Sequence, residues 1–143
     1  DGVKLYLLNK EERRKRKTEE WELIVPGKAI CPLGTFSAEI FLYEGQKIEE
    51  KKYTKWFDYD KIRELTVRTR RPGDFITVDE NGGRKKLKDY FINEKIPKAQ
   101  RDEILLLADG SHVVWVIGYR ISAYYKVTET TKNILRADYI EED

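Results

Sequence analysis

The stretch RTRRPGDFITVDENGGRKKLK, which runs from Arg68 to Lys88, alternates basic segments with two turn signals. Pro72-Gly73 and Gly82-Gly83 favour reversals of the chain, because proline fixes φ near the value that a turn needs and glycine accepts a positive φ. The stretch therefore predicts strand, turn, strand, turn and helix, in that order. Its basic side chains predict a surface that binds a polyanion, with RNA as the expected ligand.

The segment before the first turn, 66–70, has the alternation of a β-strand. In such a strand Arg68 and Arg70 project from the same face. Two neighbouring guanidinium groups repel each other unless the face is open to water or an anion lies across both. We therefore expect an exposed basic face here that binds an anion. An exposed face whose carboxylate partners lie elsewhere is the alternative.

The segment after the two glycines, 84–93, is predicted to be a helix, because Leu87, Tyr90 and Phe91 occupy positions i, i+3 and i+4 and form one apolar face. Its first turn would carry three basic residues at the helix end that is already electropositive. This arrangement destabilises a helix unless an anion binds there, so we expect a phosphate at the backbone N–H groups after Gly83. The spacing of a nucleotide P-loop is absent, which favours a nucleic-acid phosphate.

The rest of the chain predicts a β-rich support for this stretch. Apolar alternation predicts strands at 3–8, 21–25, 35–43, 75–78, 104–108, 112–117 and 134–140, with 104–108 and 112–117 forming a hairpin. Helical turns are expected at 58–62, where Asp58 can cap, and at 97–103, which Pro97 can begin. The charged segment 9–20 is interpreted as a solvated loop, with a nucleic-acid-binding arm at 13–17 as the alternative.

Length and composition bound the kind of protein. The chain has 143 residues, 40% of them hydrophobic and 38% charged, and can bury the core of one large or two small domains. We expect a β-rich support segment at 1–56 and an RNA-binding domain at 57–143. No apolar run approaches the roughly 20 residues of a membrane helix, and the one cysteine, Cys31, favours a reducing cytoplasm. Since Met is absent, we expect a piece of a larger protein whose partner domain is missing.

Basic charge is concentrated in one part of the chain. The net charge is only +2, but between residues 61 and 101 twelve Lys or Arg stand against six Asp or Glu, a local excess of six. A local excess of this kind is typical of a surface that binds a polyanion.

Residues that commonly catalyse reactions or bind metals are scarce. His112 and Cys31 are the only histidine and cysteine and stand in different segments, so no standard zinc-ligand pattern can be assembled. We interpret His112 as a turn or core residue and expect no catalytic centre, metal or cofactor in this chain. Tyr124 and Tyr125 could stack on bases, although packing is the commoner fate of such tyrosines.

Three segments resemble the C-terminal region of bacterial tRNA(Ile)-lysidine synthetases: VRTRRPGDFITV at 67–78, GGRKKLKDYFINEKIPKAQRDEILLLADG at 82–110 and VVWVIGYRISAYYKVTETT at 113–131. The RxRRPGD, GG-KKLK, IP-RD and G-RIS blocks occur in the order and spacing of that family. The upstream segments VPGKAICPLGTF and FDYDKI also fit, so the similarity covers nearly the whole chain.

The resemblance implies a ligase that uses ATP, Mg²⁺ and free lysine to convert the wobble cytidine of an isoleucine tRNA to lysidine. In that family the catalytic ATP-pyrophosphatase domain is N-terminal and carries an SGGxDS loop, which this chain lacks, so the chain alone is expected to be inactive. The family's C-terminal region helps to grip the tRNA, including its acceptor stem. Its fold resembles a domain of the phenylalanyl-tRNA synthetase β chain, which implies an α+β class with a layered, β-sandwich-like core and short helices.

The resemblance also implies which residues contact tRNA. The basic residues that match the family's basic blocks are Arg68, Arg70, Arg71, Arg84, Lys85, Lys86, Lys88, Arg101 and Arg120. The expected partners are tRNA(Ile) and the missing catalytic domain, no membrane is expected, and a homodimer is left open. The alternative function is a structural module that docks on the catalytic domain without contacting RNA.

Overall fold

The computed structural model describes residues 20–142. The strand predicted at 3–8 and the charged segment up to residue 19 lie outside the described residues. Within residues 20–142 the chain forms a seven-stranded and a four-stranded β-sheet that pack on each other, with short helices. The predicted α+β class with a layered, sandwich-like core is confirmed. No helix in this part of the chain is long and apolar enough to span a bilayer.

The four-stranded sheet joins strands from the first and the last third of the described chain. In spatial order its strands are β2 Gly27–Cys31, β3 Gly34–Leu42, β11 Asn133–Glu141 and β4 Thr54–Asp58. All neighbours are antiparallel, and β11 pairs with β3 over its whole length. The strands predicted at 35–43 and 134–140 are thus confirmed.

The boundary expected between residues 56 and 57 does not coincide with a division of the fold. Strand β4 runs across that boundary, and β11 lies between β3 and β4. The physical reason is that β3 and β4 each need β11 to complete their backbone hydrogen bonds. The segments 20–56 and 57–142 therefore share one sheet.

The seven-stranded sheet carries the basic stretch. In spatial order its strands are β1 Glu20–Glu22, β5 Leu65–Arg68, β8 Leu106–Asp109, β9 His112–Val116, β6 Phe75–Thr77 and β7 Arg84–Lys86, and β10 Arg120–Ile121 pairs with β9. The predicted hairpin of β8 and β9 is confirmed. Strand β7 forms an edge of this sheet.

The helices are short. Within residues 20–142, the α-helices are α1 Leu87–Asn93 and α2 Lys98–Arg101, and the 3₁₀ helices are Tyr59–Lys61 and Ala123–Tyr125. The predicted cap is confirmed, since the Asp58 carboxylate accepts a hydrogen bond from the backbone N–H of Asp60 at 3.1 Å. Helix α2 confirms the helical turn predicted at 97–103, although it is shorter than expected.

The helix predicted at 84–93 is wrong over its first turn. Arg84–Lys86 is strand β7, antiparallel to β6, and helix α1 begins only at Leu87. The reason is the turn between β6 and β7, which directly precedes Arg84. The N–H of Val78 donates to the carbonyl of Gly83 at 2.8 Å, so the chain leaves the turn already paired with β6 and continues that ladder. The helix N-terminus therefore lies at Leu87, with Lys86 as its N-cap, and not directly after Gly83 as expected.

Two cores fix the orientation of the sheets. Trp115, Phe36 and Phe57 are fully buried between the two sheets, and Ile76 and Phe91 are fully buried in a second core between β6 and α1. Each such side chain contributes about 1.5–3 kcal/mol of transfer free energy. Because Ile76 faces α1, its neighbours on β6 project from the opposite face of the sheet.

Candidate nucleic-acid interface

Arg68 lies in the interior. Its side chain is 1% exposed, and both terminal nitrogens donate to the carboxylate of Asp74, each at 2.8 Å. It also donates to the carbonyls of Thr69 at 3.1 Å and Gly110 at 2.7 Å. The predicted open face that pairs Arg68 with Arg70 is therefore wrong. The physical reason is that the tight turn returns Asp74 to the end of β5, where a bidentate carboxylate satisfies a guanidinium fully.

Arg70 and Arg71 lie nearer the surface and are paired with carboxylates. Arg70 Nε donates to Asp102 at 2.7 Å, and Arg71 Nη2 donates to Glu20 at 2.8 Å. Pairs at such exposed positions contribute about 0–1 kcal/mol, so a phosphate can compete for either guanidinium.

Within residues 20–142, the basic residues of β7 and α1 have no carboxylate partner. Among the described residues, no salt bridge involves Arg84, Lys85, Lys86 or Lys88. Arg84, Lys86 and Lys88 are exposed and Lys85 is half-buried. These four cations, which have no carboxylate partner among residues 20–142, lie on an edge strand and the following helical turn and produce a positive field. They are called the basic edge below.

Arg101 and Arg120 are half-buried and bind backbone carbonyls. Arg101 Nε donates to Ile96 O at 2.9 Å, and Arg120 Nη2 donates to Val78 O at 3.2 Å. Both side chains therefore brace loops.

A stack of side chains runs from the basic edge across the sheet. The guanidinium of Arg84 lies 4.4 Å from the ring centroid of Phe75, and the Phe75 and His112 centroids are 4.5 Å apart. The rings of His112 and Tyr124 follow at 5.1 Å, and the ammonium of Lys61 lies 4.8 Å from the Tyr124 centroid. These five side chains are called the aromatic column. A cation stands at each of its ends.

His112 is the centre of this column. Its Nε2 lies 2.9 Å from Thr77 Oγ1 and 3.3 Å from Ser122 Oγ, and the residue is half-buried at the first position of β9, directly after the turn and outside both cores. Burial, together with the charge of Arg84, lowers the pKa of His112 to about 4, although Asp109 acts in the opposite direction. The ring is therefore neutral at pH 7, and the charges of the column lie at its ends.

Tyr124 and Tyr125 have different environments. Tyr125 is 1% exposed, and its hydroxyl donates to Asp109 Oδ2 at 2.8 Å, so the packing expected of these tyrosines is confirmed for Tyr125. Burial and that carboxylate raise the pKa of Tyr125. Tyr124 is 45% exposed and lies with its ring perpendicular to that of Tyr125 at 4.9 Å.

Comparison with known proteins places the chain in a family. Residues 65–138, more than half of the chain, match the family model described as "TilS substrate C-terminal domain". The chain belongs to this family. The resemblance inferred from the basic blocks is thus confirmed.

Relatives of this TilS C-terminal domain are named tRNA(Ile)-lysidine synthase. One, from Caldanaerobacter subterraneus subsp. tengcongensis, is 37% identical over 148 residues, which cover 99% of this chain and 32% of the relative. Another, from Clostridium perfringens, is 40% identical over 98 residues, which cover 68% of this chain and 21% of the relative. The chain therefore spans about a third or less of the length of these relatives.

A solved structure described as a crystal structure of the TILS C-terminal domain has the same fold. It matches with a TM-score of 0.69 and 28% identity, covering 88% of this chain and 98% of that one. The two-sheet architecture is thus that of a TilS C-terminal domain.

The structure separates the nine basic residues that the sequence grouped together. Arg68 is internal, four residues are bound to carboxylates or carbonyls, and four form the basic edge. Sequence reasoning did not join Phe75, His112 and Lys61 to the site, because these residues are far apart along the chain. The alternation of β6 was the available signal: it places Phe75 on the face opposite to Ile76, where Arg84 of the paired strand is its diagonal neighbour.

Proposed function

We propose that this TilS C-terminal domain binds tRNA(Ile) for a tRNA(Ile)-lysidine synthase whose catalytic part lies elsewhere in the polypeptide. The family match and the names of the relatives support the assignment to this enzyme. Because the chain spans only about a third or less of these relatives, the catalytic part can lie in their remaining length. ATP, Mg²⁺ and lysine would then act in the other part. The ligation of lysine to the wobble cytidine would take place there as well.

The observation that carries the binding role is the basic edge. Its four cations are held on an ordered strand and helical turn, with no carboxylate among the described residues to neutralise them. Lys and Arg at such positions bind phosphates through counterion release, without reading the base sequence. A double-helical part of the tRNA, such as the acceptor stem, presents phosphates in a fixed geometry and suits this surface.

Charge reversal tests this role. We expect Lys86→Glu/Lys88→Glu to weaken binding of tRNA(Ile), and to reduce the slope of log affinity against log salt by about 1 for each phosphate that the variant no longer binds. Filter binding or fluorescence anisotropy at several salt concentrations measures both quantities. Lys51→Glu/Lys52→Glu is the matched control, since those two lysines are also exposed and the change of charge is the same. Equal effects of the two double variants would refute the assignment of the basic edge.

A second candidate function is docking on the rest of the polypeptide without RNA contact. One observation favours it: Ile30, Leu33 and Ile140 are 77%, 70% and 63% exposed at one end of the four-stranded sheet. Ile30 and Ile140 both lie opposite Thr35, so they share a face. Exposed apolar groups of this kind are typical of an interface. If the chain binds no tRNA at low salt, docking on the rest of the polypeptide is the function that remains.

A further inference from the structure

We propose that the Tyr124 ring is a stacking site for one unpaired nucleobase of a bound RNA, which displaces the Lys61 ammonium from the ring so that Lys61 contacts the phosphate beside that base. The inference rests on the proposed RNA-binding function and adds the class of ligand and the residue that receives it. Three features of the aromatic column support it: a fixed ring, a lysine ammonium over that ring, and continuity with the basic edge.

The Tyr124 ring is held in place before any ligand binds. Its backbone N–H donates to Ser122 Oγ at 3.2 Å, and its ring packs on His112 and, edge-on, on Tyr125. Tyr125 is itself anchored by its hydrogen bond to Asp109. A ring fixed in this way binds a flat ligand without a further loss of side-chain entropy.

The cation over the ring is placed to accompany a base. Lys61 Nζ lies 4.8 Å from the Tyr124 centroid and donates to the Tyr124 carbonyl at 3.0 Å. The lysine side chain has four rotatable bonds, so its ammonium can move from the ring to a phosphate when a base enters. Stacking and a nearby cation together are the usual means by which proteins hold single-stranded nucleic acid.

The column connects this ring to the proposed phosphate contacts. Its other end is Arg84, a member of the basic edge, and Lys86 projects from the same face of β7 as Arg84 because the two are two residues apart in a strand. A bound strand can therefore keep its phosphates at the basic edge and place one base on Tyr124. The base has to be unpaired, since both faces of a base are covered inside a double helix.

The other aromatic groups that water can reach are less suitable. Arg136 lies 5.3 Å from the Phe41 ring and 5.7 Å from the Trp56 ring, but it is paired with Glu39 and Asp138, each at 3.2 Å, and carboxylates repel phosphates. Tyr119 is 46% exposed, but no ring or cation stacks on it among residues 20–142. Tyr119 is therefore a control of the same type and exposure as Tyr124.

The experiment uses two RNA hairpins with the same stem and loop. One is blunt, and the other carries a single-stranded 3′ extension of four nucleotides, of which one is 2-aminopurine. We expect Tyr124→Leu to weaken binding of the extended hairpin by roughly 5- to 150-fold and to leave binding of the blunt hairpin unchanged. Tyr124→Phe should restore binding of the extended hairpin, because it keeps the ring face. Tyr119→Leu should change neither affinity. With the unmodified chain, 2-aminopurine emission should fall on binding.

The outcomes separate this inference from the proposed function. If the unmodified chain binds neither hairpin, both are refuted. If it binds both hairpins and Tyr124→Leu affects both equally or neither, only the stacking site is refuted and RNA binding stands. Unchanged 2-aminopurine emission on binding by the unmodified chain also refutes the stacking site, whether or not the variants fold.

Discussion

At the scale of single residues, exposure separates arginines that look equivalent in sequence. Arg68, Arg70 and Arg71 stand within four positions, but only Arg68 turns inward to Asp74. A buried guanidinium that satisfies a carboxylate and two carbonyls acts on stability and not on ligand binding. This residue therefore contributes to the interface only by fixing the turn that leads to β6.

Arg68→Ala tests this difference. We expect it to lower the free energy of unfolding by about 3–5 kcal/mol, because it leaves the buried carboxylate of Asp74 without a counterion. Arg71→Ala removes an exposed ion pair with Glu20 and should cost less than about 1 kcal/mol. Urea denaturation followed by tryptophan fluorescence measures both. A cost for Arg68→Ala as small as that for Arg71→Ala would contradict the structural role of Arg68.

At the scale of elements, the turn between β6 and β7 decides the secondary structure of the basic edge. The Asp79 carboxylate accepts hydrogen bonds from the N–H groups of Asn81 and Gly83, each at 2.9 Å, and so closes the turn. A side chain at position 83 would collide with that carboxylate, whereas position 82 is open but has φ of +85°. Each glycine is needed for a different reason: Gly83 for space and Gly82 for its backbone conformation.

Gly83→Ala should open this turn. We expect a loss of about 1–3 kcal/mol of stability, because the displaced Asp79 carboxylate no longer satisfies two backbone donors. Tyr and Trp fluorescence during chemical denaturation reports the loss. In an Asp79→Ala background the collision is absent, so Gly83→Ala should then cost clearly less, as a double-mutant cycle would show. Additive effects of the two changes would mean that the collision is not the cause.

At the scale of the whole molecule, the two sheets depend on strands from both ends of the described chain. Leu135, Ala137 and Tyr139 of β11 pack in the core between the sheets, and β11 pairs with β3 on one side and β4 on the other. The segment 57–143 therefore contains β11 but lacks β3 and most of β4, which are the strands on either side of β11.

A chain that begins at Phe57 should fail to fold cooperatively. It lacks β2, β3 and most of β4, and it would expose the part of the inter-sheet core that these strands cover. Near-ultraviolet circular dichroism and differential scanning calorimetry, with the intact 143-residue chain as the control, measure this. A sharp unfolding transition and native-like near-ultraviolet signal from the shortened chain would restore a domain boundary at residue 57.

The sequence by itself determined the family, the fold class, most strands of the described chain and the general location of the basic charge. These depend on local alternation, turn residues and block order, which are properties of neighbours along the chain. Only the tertiary structure decided that Arg68 is buried, that Arg84–Lys86 is a strand, and that Phe75, His112, Tyr124 and Lys61 form one column. Those outcomes depend on which residues meet across a sheet or a turn, and two residues that meet in this way need not be close in sequence.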